Sequence, residues 1–344
     1  MRKRLLKWVA VVIAVFLVYI IVSIATSLNT RAGSYDYSAE LPKPGLGVDI
    51  RNDGLAMRGF IAWNKFYNNI ASSAWKAPEG VTKSKITIET RDGARINCYV
   101  LEPSAGKDAV SATMLYCHGG AFFMPILPSS LECAAWYARE LGCRVFMPEY
   151  RLTPGSPYPV PINDCYDALR YVASLPETDP DRVILYGESA GGCLCAETLN
   201  MCLDEGLLKP AAQMLIYPVT DSAQHYESLS KYAFTTWSQE ANLNMWKLYL
   251  NERAPETLDY AVPMLRDGFS DYPPVYVEPS EMDALCDQAV AYAEKLGDAG
   301  VDVTMRVVEG AYHGFDGAMD SPLVQRVLAE RIEWLRTNLE REAL

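Results

Sequence analysis

Histidine is scarce in this chain: His118, His225 and His313 are the only three in 344 residues. None of the nine cysteines forms a Cys-x-x-Cys pair, and none stands at metal-ligand spacing with a histidine. Zinc-ribbon and dithiol redox chemistry are therefore excluded. Basic residues are also short, 31 Lys and Arg against 43 Asp and Glu. Four of them (Arg2, Lys3, Arg4, Lys7) sit ahead of an apolar stretch, leaving 27 basic against 43 acidic residues, a charge of −16. No basic face remains to neutralise phosphates, so nucleic acid is not a partner. Internal repeats are missing, and half the residues are hydrophobic. That is the composition of a globular chain, long enough for one large α/β domain.

After the four bases comes Trp8–Leu28, 21 uncharged apolar residues. As a helix this is about 32 Å long, enough to cross a bilayer core. The basic flank predicts a signal anchor over residues 1–30 with the following domain on the extracytoplasmic side. Cleavage as a signal peptide near Ser23-Ile24-Ala25 and secretion is the alternative. Nine cysteines in such a compartment risk disulfides. Either they are buried as small hydrophobes or the compartment is reducing.

The most telling stretch is Gly187-Glu188-Ser189-Ala190-Gly191-Gly192. It follows the apolar run Val183-Ile184-Leu185-Tyr186 and opens a helical pattern. Strand, Gly-x-Ser-x-Gly turn and helix make a nucleophile elbow, which lifts the serine hydroxyl to the top of a sheet. The helix behind it aims unpaired N–H groups at the place where negative charge develops. Two other segments join it. His118-Gly119-Gly120-Ala121 follows the apolar Met114-Leu115-Tyr116-Cys117 and offers backbone N–H groups to a cleft. His313 follows the strand-like 303–308, and Asp283 follows the strand-like 274–279. The chain order Ser189, Asp283, His313 is that of an α/β-hydrolase, unlike the trypsin or subtilisin orders.

Strand-like runs near 112–117, 143–148, 182–187, 212–217, 274–279 and 303–308 alternate with helical ones near 129–141, 160–175, 190–205, 287–299 and 323–340. The alternation predicts a mostly parallel eight-stranded sheet with helices on both faces. A hairpin over Ile86–Val100, turning at Arg91-Asp92-Gly93, supplies two of the strands. Residues 31–84 read as a linker, Thr30–Pro44, and a helix within Asp49–Trp75. The catalytic domain spans 85–344. Within it, 221–270 breaks the rhythm, rich in aromatics and without a clear strand. It is a lid, or a peripheral helical insert.

These motifs, with Glu149-Tyr150-Arg151-Leu152-Thr153-Pro154, resemble the hormone-sensitive-lipase group of α/β-hydrolase carboxylesterases, arylacetamide-deacetylase-like enzymes included. The resemblance spans about Lys85 to Leu335. It implies that Ser189 is a nucleophile, His313 its base and Asp283 the carboxylate that orients the imidazole, although Glu281 and Asp287 stand within one turn. It implies an oxyanion hole from backbone N–H groups of Gly119, Gly120, Ala121 and Ala190, and a cap formed partly by the N-terminal helix. His118 is read as structural, His225 as solvated or packed, and Arg151 as paired with a carboxylate. Two positions depart from the family pattern: Ala121 stands where a third glycine is usual, and Glu188 where Asp is usual. Neither removes a backbone N–H, and the Ala121 methyl trims the pocket.

Serine needs a base within hydrogen-bond reach to attack a carbonyl, and an imidazole, with its ordinary pKa near 6.5, suits that task. The expected activity is carboxylester hydrolysis through an acyl-Ser189 intermediate, on small apolar esters of short to medium acyl chains, with no cofactor and no metal. Alternatives are a membrane-surface lipase, a peptidase, or a non-catalytic binding member of the fold.

Overall fold

The structure is a computed structural model that describes residues 35–44, 55–105, 112–233 and 235–341. The expected anchor at 8–28 lies outside the described residues. Among those described, no helix is long and apolar enough to cross a membrane.

Eight strands form one sheet: β1 Val81–Glu89, β2 Arg95–Pro103, β3 Ala112–Cys117, β4 Cys143–Pro148, β5 Val183–Glu188, β6 Ala212–Ile216, β7 Val275–Glu278 and β8 Val303–Met305, in the order β1-β2-β4-β3-β5-β6-β7-β8. The expectation of a mostly parallel sheet needs one correction. The sheet is mixed, because β2 runs antiparallel to both β1 and β4, while β4, β3 and β5 to β8 are parallel. A tight turn can join only antiparallel neighbours, and Gly93 at φ 80° supplies it here. From β3 to β7 every residue is buried, which is why these strands read as unbroken apolar runs.

Helices α1 Leu55–Ala74, α2 Pro128–Glu140, α3 Val160–Ser174, α4 Ala190–Asp204, α5 Glu227–Lys231, α6 Gln239–Leu250, α7 Cys286–Asp298 and α8 Pro322–Arg341, with four short 3₁₀ turns, complete the described elements. Alternation along the strands feeds two cores. On β3, Leu115 and Cys117 join the core beneath α3, α4, α6 and α7, while Met114 and Tyr116 join the one beneath α2 and α8. β8 is shorter than 303–308. Beyond Met305 the chain still follows β7, through Arg306 N–H to Val277 O at 2.9 Å and Val308 N–H to Pro279 O at 2.9 Å, so its direction is kept.

Residues 35–44, read as linker, are instead pinned to the domain. Ser38 N–H donates to Gly310 O at 3.0 Å, Tyr37 packs edge-on against Tyr312, and Arg326 pairs with Glu40 at 2.8 Å. The 221–270 segment carries no named strand among its described residues. It holds α5 and α6, the latter capped by Ser238 Oγ accepting from Ala241 N–H at 3.0 Å.

Candidate active site

Ser189 sits between β5 and α4 with φ 54° and ψ −123°. The neighbouring glycines make this turn possible. A Cβ on Gly187 would lie 2.2 Å from Gly191 O, one on Gly191 2.0 Å from Cys117 O, and one on Gly192 2.6 Å from Pro218 Cβ. Ser189 N–H donates to Ile216 O at 2.9 Å, which ties the elbow to β6.

The Ser189 hydroxyl lies 2.8 Å from His313 Nε2, and His313 Nδ1 lies 2.7 Å from Asp283 Oδ2. A carboxylate only accepts, so Nδ1 carries the proton and Nε2 is left to accept from the serine. Asp283 is fully buried, and its other oxygen accepts from Leu285 N–H at 3.0 Å. The two nearby carboxylates have other partners. Glu281 accepts from Gly310 N–H at 2.8 Å, and Asp287 accepts from Ser228 N–H at 2.8 Å. The imidazole is boxed in by Tyr217, edge-on with centroids 4.8 Å apart, and by Trp237 at 6.1 Å. Thr236 Oγ1 donates to His313 O at 2.8 Å, so the 221–270 insert reaches the site.

The loop after β3 turns through three successive positive φ angles: Gly120 at 112°, Ala121 at 53° and Phe122 at 61°. Gly120 O accepts from both Phe123 and Met124 N–H, closing the turn. Gly120 and Ala121 line the cavity beside Ser189. Ala190 is the first residue of α4, where an N–H has no intrahelical partner. Gly119 differs from the other three expected oxyanion residues. Its N–H is engaged by Glu188 Oε1 at 3.3 Å, so it steers the loop and does not offer a free donor.

In the sequence Glu188 is only a departure from the family pattern. Its buried carboxylate also accepts from Tyr116 OH at 2.8 Å and Ser130 Oγ at 2.5 Å, joining β5, β3 and α2 directly behind the serine. Burial pushes its pKa up, and the Asp316 charge adds to that. A second group was missed outright. Arg331 on α8 is fully buried, donating to Asp316 at 3.0 Å and, through Nε at 3.1 Å, to Glu278. Tyr217 OH closes the chain on Asp316, so α8 supports the ring that packs on His313. The signal was there: Arg331 falls in the register of Val324, Leu328 and Leu335, which is all core.

The other singled-out residues stand apart from the serine. His118 stacks on Tyr150 at 4.2 Å with Nδ1 2.7 Å from Gly119 O, and burial lowers its pKa to about 4. It is neutral and structural. His225 stacks on Tyr226. Arg151 pairs with Asp164 at 2.6 Å and Asp92 at 2.8 Å. All nine cysteines are free thiols, and eight are buried. Among the described residues, no group of three His, Cys, Asp or Glu side chains is placed to hold a metal ion. The cavity over Ser189 measures about 210 Å³. Phe60, Phe123, Met124, Leu127 and Trp237 give it apolar walls.

This sheet order, elbow and three-residue relay define an α/β-hydrolase. Residues 114–317 match the family described as the alpha/beta hydrolase fold, and the chain belongs to that family, in its hormone-sensitive-lipase-like carboxylesterase branch. It is 31% identical over 262 residues to an ethyl acetate hydrolase of Pseudomonas putida, covering 74% of this chain and 82% of that one. Among solved structures, a bacterial heroin esterase superposes with a TM-score of 0.76 at 30% identity, covering 87% of this chain and 94% of the other. An esterase from the bacterial hormone-sensitive lipase family superposes at 0.71 with 25% identity, covering 80% and 90%.

Proposed function

We propose that the chain is a serine carboxylesterase acting on small apolar esters of short to medium acyl chains. The observation that carries the reading is the Ser189–His313–Asp283 relay, with its 2.8 Å and 2.7 Å contacts opening on an apolar cavity. In this reading His313 takes the Ser189 proton as Oγ attacks the ester carbonyl, and Asp283 holds the imidazole and stabilises the imidazolium. N–H groups of Gly120, Ala121 and Ala190 receive the oxyanion. His313 returns the proton to the departing alcohol, leaving acyl-Ser189, and water then releases the acid by the same steps.

The size of the cavity supports the short-chain reading. A cavity of 210 Å³ is small beside the roughly 300–1,000 Å³ of pockets that take drug-sized ligands. The esters named for the relatives, ethyl acetate and heroin, carry acetyl groups, which supports the short-chain end. Tethering through residues 8–28, with this domain outside the cytoplasm, belongs to the same proposal and rests on the basic flank.

The test is hydrolysis of p-nitrophenyl esters from acetyl to palmitoyl by the full-length chain, with Ser189→Ala alongside. The rate should peak at short chains and fall at least about 1,000-fold in the variant. Activity rising steadily to palmitate would replace this reading with a lipase. A folded protein inert on every ester would return it to the binding members of the fold.

A further inference from the structure

α1 presents two different faces. Its inner face is conventional: Met57, Ile61, Asn68 and Ser72 are buried, and Phe60 reaches the cavity, edge-on to Phe123 at 6.3 Å. The outer face carries Trp63, Phe66, Tyr67 and Ile70, which are 39%, 61%, 57% and 55% exposed. Positions 63, 66, 67 and 70 form one stripe at helical spacing. The rings gather on each other, Trp63 lying 6.1 Å from Phe66 and 6.2 Å from Tyr67. These four are most of the large hydrophobic side chains exposed among the described residues. A contiguous apolar patch of this kind marks an interaction site, where scattered single residues do not.

Charge narrows the partner. The chain has 43 acidic residues, yet α1 has none in twenty positions. It has two bases, Arg58 and Lys65, seven residues apart and both exposed. A helix bearing Trp, Tyr and Phe on one exposed arc and only positive charge on the other suits the headgroup level of an anionic bilayer. A second copy of this chain, at a net charge of −12, would also attract those two bases, so geometry must add to charge. It does. The apolar stretch ends at Leu28, seven residues before Tyr35, a reach of at most about 25 Å. Tyr35 packs on Tyr232 at 5.6 Å and donates to Lys231 O at 3.0 Å, in the same insert whose Thr236 and Trp237 wall the cavity. The chain therefore arrives beside the insert that walls the cavity, and Phe60 of the aromatic helix lines that same cavity.

We infer that the outer face of α1 docks on the surface of an anionic lipid leaflet, seating Trp63, Phe66, Tyr67 and Ile70 among the headgroups and turning the catalytic cavity toward the membrane. The inference goes beyond ester hydrolysis and holds whatever the acyl preference is.

Full-length chains with Phe66→Cys or Ile70→Cys, nitroxide-labelled, would be placed in nanodiscs of mixed phosphatidylcholine and phosphatidylglycerol. Asp298→Cys, exposed at the far end of α7, is the reference, and the parent chain corrects for labelling of Cys286. Labels at 66 and 70 should collide several-fold less with a water-soluble nickel chelate than the label at 298, and several-fold more with oxygen. Two sites guard against one variant misfolding, and p-nitrophenyl acetate hydrolysis checks each. Equal nickel accessibility at all three sites would overturn the inference. So would dipolar broadening between labels at 66, which would mean that a second copy covers the face, or failure of the chain to stay on the discs. Loss of ester hydrolysis with the lipid contact intact would instead count against the esterase reading alone.

Discussion

Ser189 keeps its φ of 54° only because the glycines around it leave the backbone room, and that makes the elbow intolerant of change. Gly191→Ala would put a methyl 2.0 Å from Cys117 O and 2.5 Å from His118 O, two backbone atoms that cannot swing aside. The expected cost is above about 4 kcal/mol, seen in thermal melting as a destabilised or unfolded protein. Ala121, at φ 53°, behaves differently. Replacing it by glycine relieves left-handed strain of about 1–2 kcal/mol, while the looser unfolded chain takes back about 0.4–1 kcal/mol. The melting temperature should hardly move, and the ester profile should shift toward bulkier acyl groups, because Ala121 lines the cavity. Asp283→Asn should lower kcat by about 10⁴ with the fold intact, measured on p-nitrophenyl acetate. Ser189, Asp283 and His313 were legible in the sequence because each follows a strand-like run, where this fold builds its sites. Tyr217, Thr236 and the engagement of Gly119 by Glu188 were not, since they depend on which loops meet across long stretches of chain.

Elements were legible in proportion to how local their causes are. β3 to β7 are buried on both faces and announce themselves as apolar runs. The strand order, with β4 between β2 and β3, and the docking of 35–44 rest on pairings far apart in sequence, which periodicity does not encode. Between elements, the buried ions decide cohesion. Arg331 joins α8 to Glu278 on β7 and to Asp316 just past His313. Arg331→Met would leave two buried carboxylates without their cation. A loss of about 3–5 kcal/mol is expected in denaturant unfolding, because breaking such a pair costs more than the pair itself contributes. Activity should fall as well, since Tyr217 loses its anchored partner beside the imidazole.

Across the whole molecule, two buried titrating groups pull stability in opposite directions with pH. Burial raises Glu197 from 4.5 to about 7, so the folded state keeps its proton while the unfolded state has lost it. Its effect is a stability that falls as pH rises from about 4.5 to 7 and is level above. His118, lowered to about 4, does the reverse: stability falls as pH drops from 6.5 toward 4, because only the unfolded chain gains the proton readily. Glu197→Gln should therefore stabilise the protein above pH 7 by up to about 3 kcal/mol. The difference from wild type should grow from pH 4.5 to 7 and then level off in urea titrations. One further consequence concerns the thiols. They are strewn through β2, β3, β4, α2, α3, α4 and α7, and all but Cys286 are shielded from solvent. Each of the eight buried thiols is a silent timer: an alkylating reagent can reach it only when its own segment opens. Counting adducts residue by residue over time would record the order in which the sheet and its helices let go.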